Sequence, residues 1–339
     1  MIDIFIKSFN RPFYLDRSIA SIYKFVKGDF TIKVLDDGTP KKYLEKIQEK
    51  YPDVQILFSE NYHSKCAIII ENLKSEKKIN GFQIPTNLWI DAVKKATDYF
   101  IITEDDCWFT KPVQISQLRE TCYENNIYLL KIGWLGCFSD DRFQKIESIN
   151  SELNRCIPEK LILKGEFFMK MFFYNRFKLF TILYKFGIVN NETRQRYWVL
   201  NSILMGFYKK EYWLEIWKGM DGKVDEKRQL INASVFYKKH QNNPNFIARL
   251  KNEAMKTTFQ SSATNSYHEY GYNFDVNIFN HLINETWSNG DFDVFQNFPN
   301  DFSLDYFEQF VKEKIDVKEF RKWVSHFKNQ YKNLGANVE

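Results

Sequence analysis

Cysteine is scarce and unpatterned: Cys66, Cys107, Cys122, Cys137 and Cys156 are an odd number at irregular spacings, with no C-x-x-C pair. That excludes a disulfide framework and a zinc knuckle, and it makes a reducing cytoplasm the expected home. Proline and glycine are also few, at 8 and 13 of 339 residues. No Pro/Gly/Ser-rich linker, low-complexity tract or internal repeat interrupts the chain. An excess of one charge is missing as well: 48 basic residues stand against 43 acidic ones, mostly intermixed, for a net charge of +5. This suits an anionic small ligand or an anionic membrane surface and argues against nucleic acid, which calls for a concentrated basic stripe. The most apolar stretch, 167–189, is broken by Lys170, Arg176, Lys178 and Lys185, so it lacks the roughly 20 uninterrupted apolar residues of a spanning helix. The opening Met1-Ile2-Asp3-Ile4-Phe5-Ile6 runs straight into strand alternation, and no signal peptide is expected.

Aromatic side chains are abundant, at 17% with 32 Phe and 19 Tyr. That exceeds what a core alone demands and points to stacking on saccharides or contact with lipid. Hydrophobic (44%) and charged (27%) fractions are those of a folded globular protein.

Residues 2–7, 30–35, 54–58 and 99–102 predict strands, and helical spacing follows the first two and precedes the fourth. Strands alternating with helices to about residue 135 predict an α/β fold with a mostly parallel sheet. Beyond a soft change of composition near residue 155 the pattern turns to longer aromatic helices. Residues 303–331 predict an amphipathic helical tail that packs back on the domain. For 165–189 two readings stay open. One is a helix lying in the plane of a bilayer; the other is a buried helix whose lysines reach out to water.

Ligands of open α/β sheets bind at the carboxyl ends of the strands. Three polar clusters fall there: Ser8-Phe9-Asn10-Arg11-Pro12, Asp36-Asp37-Gly38 and Glu104-Asp105-Asp106. The last offers hard carboxylate oxygens suited to Mg²⁺ or Mn²⁺.

In this order the three motifs resemble the opening of GT-A glycosyltransferases of the family-2 type over residues 2 to about 110. Ser8 to Ile19 is similar to their post-strand Asn-Arg-Pro region, Val34 to Thr39 to their Val-Asp-Asp-Gly-Ser segment, and Thr103 to Asp106 to their Asp-x-Asp region. The resemblance implies a GT-A (Rossmann-like) fold and transfer of a sugar from a nucleotide diphosphate, a UDP-sugar first, to a saccharide or lipid-linked saccharide, with inversion. It implies that Ser8, Asn10, Arg11, Asp36, Asp37 and Asp105 bind the donor, Asp37 at the base. It implies that Asp106, assisted by Asp105 or Glu104, holds Mn²⁺ or Mg²⁺, with His268 completing the shell.

In the second half Met205-Gly206-Phe207-Tyr208 looks like the family's acceptor loop, and Asp225-Glu226 lies at the spacing of its catalytic base. The order Asp-Glu reverses the usual Glu-Asp. Asp221 is a further candidate, with Asp140 and Asp141 behind it. The expected organisation is a donor half over 1–155, an acceptor half over 156–300 and a tail over 301–339. The expected location is cytoplasmic, with the inner membrane face included by the 165–189 pattern. A nucleotidyltransferase is disfavoured because no Gly-rich phosphate loop follows the first strand. A non-catalytic saccharide-binding or scaffold protein is the competing class.

Overall fold

The computed structural model describes residues 1–75, 82–136, 140–260, 271–273, 275–333 and 335–338. Strand β1 (Ile2–Ser8) is buried along its whole length, as befits a central strand covered on both faces. Strands β2 (Phe30–Asp36), β3 (Gln55–Phe58) and β4 (Tyr99–Glu104) join it in parallel, in the order β3-β2-β1-β4. The sheet continues with β5 (Leu129–Lys131), β6 (Gln144–Ser148), β7 (Leu153–Pro158), β8 (Gly206–Lys209) and β9 (Ile247–Leu250). The nine strands lie in the order β3-β2-β1-β4-β8-β5-β9-β7-β6. Strand β8 runs against both of its neighbours, as does β7, and the others share one direction. The mostly parallel α/β fold is thus the one the alternating pattern predicts.

Side-chain alternation splits the core between the two faces. Ile4, Ile6 and Ile101 pack on one side with the Pro12–Phe25 and Val276–Asn289 helices. Phe5, Phe100 and Ile102 pack on the other with the Lys210–Ile216 and Glu226–Lys239 helices. Residue 155 lies inside β7, and β8, from the second half of the chain, sits between β4 and β5, so one sheet serves both halves.

Two expectations change in detail. Gly206–Lys209 is a central strand rather than a loop, because Phe207 and Tyr208 stack on Tyr99 and Phe100 of β4. A Cβ at position 206 would stand 2.2 Å from the Tyr208 ring, which explains a glycine there. The 165–189 stretch is two short helices, Glu166–Phe173 and Leu179–Lys185, separated where Asn175, Phe177 and Lys178 take positive φ. Its first half buries Met169, Phe172 and Phe173, whereas Phe177, Tyr184 and Phe186 of the second are exposed. The tail forms two helices, Leu304–Val311 and Val317–Asn333, and buries Phe307, Phe320 and Trp323 against the domain as expected. No helix among the described residues is long and apolar enough to cross a membrane.

Candidate active site

The three polar clusters meet at the carboxyl end of the sheet because β2, β1 and β4 are adjacent and parallel. After β1 the chain turns at Asn10, whose left-handed φ of 53° is one that asparagine tolerates well. Asn10 is locked on two sides: its amide donates to Thr39 Oγ1 at 2.9 Å, and Asn284 Nδ2 donates to its carbonyl at 3.2 Å. Pro12 then opens the Pro12–Phe25 helix with φ already set for it, leaving Arg11 at the helix start.

Asp36 builds the second turn. Its Oδ1 accepts from the amides of Gly38 and Thr39 at 3.0 and 2.8 Å, and its Oδ2 from Thr39 Oγ1 at 2.6 Å. Burial pushes its carboxyl up to about 6 against the pull of those bonds. Gly38 has φ 146°, and a Cβ there would press on Lys65 and the Phe9 ring. Asp37, the next residue, accepts from Lys65 Nζ; burial raises its carboxyl while Lys65 opposes. Ser8 accepts the Asp37 amide through its carbonyl at 3.0 Å.

The acidic cluster is internally paired. Arg11 donates from Nη2 to Asp105 at 2.5 Å and from Nη1 to Asp106 at 2.9 Å, while Lys7 Nζ pairs with Glu104 at 2.6 Å. Asp105 also accepts the Phe9 amide at 3.1 Å. Burial raises the Asp105 carboxyl to about 7, with Arg11 pulling the other way, and raises Asp106 for the same reason. For Arg11 burial works against the charge, and Asp105 and Asp106 more than offset it. These residues do not fit a divalent cation as they stand. Every carboxylate of the cluster has a cationic partner, and no three His, Cys, Asp or Glu side chains converge for a metal among the described residues. His268 lies outside the described residues.

The structure separates Asp225 from Glu226. Asp225 caps the Glu226–Lys239 helix, accepting from the Arg228 amide at 3.0 Å and from the Tyr174 hydroxyl. Glu226, one residue on, borders a cleft made of two adjoining cavities of about 710 and 180 Å³. Both cavities are lined by Glu104, Asn201 and Glu226, so the strand-end acid and the helix-start acid face the same space. Asp221 is exposed, and Asp141 is bound by Arg249 at 2.8 Å.

Sequence reasoning missed Tyr331, Lys131 and Trp198, which line the larger cavity. Burial raises the Tyr331 phenol, and the charges of Asp106, Glu104 and Glu226 add to that. The tail helix therefore brings Tyr331 to the cavity that Glu104 and Glu226 also line, a placement that no local motif announces.

No family model and no curated protein sequence matches this chain. Among solved structures, it is similar to S. aureus TarS residues 1–349 in complex with UDP-GlcNAc, at 12% identity and a TM-score of 0.42, covering 98% of this chain and 81% of that one. It is also similar to the galactosyltransferase LgtC with donor and acceptor sugar analogs (10% identity, TM-score 0.33, 76% of this chain and 86% of that one). A third is the apo bifunctional glycosyltransferase WbbM (11% identity, TM-score 0.36, 70% of this chain and 38% of that one). At such scores the functional reading rests on the residues of the site.

Proposed function

We propose that this chain is a nucleotide-sugar-dependent glycosyltransferase acting on a saccharide or lipid-linked saccharide, with a UDP-sugar, the donor the resemblance implies, as first choice. The observation that carries this reading is the shared cleft: Glu104, beside the three strand-end motifs, and Glu226, from a helix more than a hundred residues later, line the same two cavities. The nucleoside lies against the Asp37 and Ser8–Arg11 turns, and the acceptor lies in the larger cavity against Trp134 and Trp198. The acceptor oxygen bonds to the anomeric carbon as the bond to the diphosphate breaks, inverting the centre, and its proton passes to the Glu226 carboxylate. No step is assigned to a divalent cation, because Lys7 and Arg11 hold the carboxylates that would bind it.

The test is a pair of variants. Glu226→Gln is expected to lower the transfer rate at least a hundredfold with donor affinity kept, since a base acts mainly in the transition state. Asp225→Ala is expected to weaken the helix cap by about 1 kcal/mol with much less effect on rate. Absence of any stabilisation by UDP or UDP-sugars in a thermal-shift panel defeats the reading. One observation favours a non-catalytic saccharide-binding role, the closure of Arg11 on both Asp105 and Asp106, and that role predicts the same silence toward nucleotides.

The proposal extends to location. Phe177, Phe186 and Ile188 are 83%, 76% and 62% exposed, and beside them stand Arg176, Lys178 and Lys185, while Lys170 is paired with Glu166. An apolar tip ringed by cations suits an anionic membrane surface. A symmetric contact with a second copy would set like charges against each other.

A further inference from the structure

Resting on the glycosyltransferase reading above, we propose that the larger cavity contains an anion subsite built on Lys131, and that the acceptor saccharide carries a carboxylate or phosphate group. Lys131 ends β5, an interior strand, in register with Gly206 on one side and Arg249 on the other. It is only 6% exposed, yet it forms no ion pair and no side-chain hydrogen bond among the described residues, and it lines the cavity. Its Nζ is not among the polar atoms sealed from water, so it opens into the cavity. A cation that no protein group claims there can pair with an anionic substituent of a ligand.

The neighbouring acids are already committed. Asp141 is held by both guanidinium nitrogens of Arg249 at 2.8 and 3.2 Å, and Glu253 accepts the amides of Trp134 and Gly136. Glu104 is paired with Lys7 at 2.6 Å. Glu226 and Lys131 both line the larger cavity without forming an ion pair, and Glu226 borders the smaller cavity as well. Arg142, which pairs with Glu192 at 3.2 Å, adds a second cation to the same wall, and Trp134 and Trp198 offer ring faces for a sugar. A pyranose stacked there presents a hydroxyl toward Glu226 and an acidic substituent toward Lys131.

The experiment is calorimetric titration of the full chain with D-glucuronate, glucose 6-phosphate and glucose. Wild-type protein is expected to bind one or both anions at least tenfold more tightly than glucose, with a preference that shrinks as salt rises. The arm that binds better tells carboxylate from phosphate. Lys131→Met is expected to abolish the preference without lowering the thermal midpoint, since it breaks no ion pair or hydrogen bond among the described residues. Lys131→Arg is expected to keep most of it.

Equal binding of glucose and both anions by the wild type overturns the proposal. So does an anion preference that survives in Lys131→Met, or competition by UDP, which would assign the lysine to the donor. If Lys131-dependent anion binding appears while no nucleotide sugar binds, the glycosyltransferase reading falls and the anion subsite stands.

Discussion

Arg11 is the side chain that ties the first strand-end motif to the third. It stands at the start of a helix, one residue before the proline that opens it, and spends its two terminal nitrogens on Asp105 and Asp106, at 2.5 and 2.9 Å. Removing one member of a buried ion group is expensive because the others are left uncompensated, and Arg11→Met is expected to cost about 3–5 kcal/mol. Calorimetric unfolding checks this. The same measurement probes the Mn²⁺ or Mg²⁺ that the motif implies. In Arg11→Met the two carboxylates lack a cation, so Mn²⁺ is expected to raise the thermal midpoint of the variant more than that of the wild type. An equal shift in both means that the ion pair opens for metal without help. His268 is a candidate through the family resemblance, and its position lies outside the described residues.

At the scale of elements, the 165–189 stretch shows how a period can be read correctly and still mislead. Apolar residues recur at helical spacing, but three residues with positive φ break the path, so the two halves face different surroundings. The first packs Phe172 and Phe173 on Tyr197. The second leaves Phe177 and Phe186 in water beside Lys178 and Lys185. The first half therefore matches the buried reading, and the second presents an exposed apolar surface. Vesicle co-sedimentation tests the exposed half. Binding to vesicles containing phosphatidylglycerol is expected to exceed binding to pure phosphatidylcholine, and Phe177→Ser with Phe186→Ser is expected to reduce it at least tenfold, a bound set by about 0.8 kcal/mol per buried CH₂ equivalent. Unchanged binding by the double variant removes the membrane from the proposal.

At the scale of the molecule, the cleft is assembled from segments far apart in the chain: Glu104 ends a strand, Glu226 starts a helix and Tyr331 comes from the tail. The tail is tied down by Phe320, Trp323 and Val324, all buried, and by the Asn337 amide, which donates to Leu135 at 2.6 Å. A chain ending at Asp316 loses those contacts, at about 1.5–3 kcal/mol for each buried Phe or Val side chain. It is expected to melt at a lower temperature and to lose acceptor-dependent transfer, measured by product formation from a labelled donor. Retention of full transfer by the truncated chain would take Tyr331 out of the site.

The sequence by itself determined where three polar motifs meet. Alternation of strands and helices sets a parallel sheet, and a parallel sheet sends the segments after β1, β2 and β4 to one edge, so Ser8–Arg11, Asp36–Asp37 and Glu104–Asp106 are readable as a site from local pattern alone. It also offered Asp225 and Glu226, with Asp221, Asp140 and Asp141 behind them, as candidates for a base, though nothing in a dipeptide says which one caps a helix and which one meets the cleft. Tertiary structure decided what depends on contacts remote in sequence: Gly206 as a central strand through aromatic stacking with β4, Arg11 closing on two carboxylates more than ninety residues away, the tail helix bringing Tyr331 to the cavity of Glu104 and Glu226, and Lys131 at the cavity wall without a side-chain partner among the described residues. Periodicity carries information over one element only. Pairing of charges and closure of a cavity are properties of the packed chain, where burial, rather than residue type, sets the cost of leaving a charge alone.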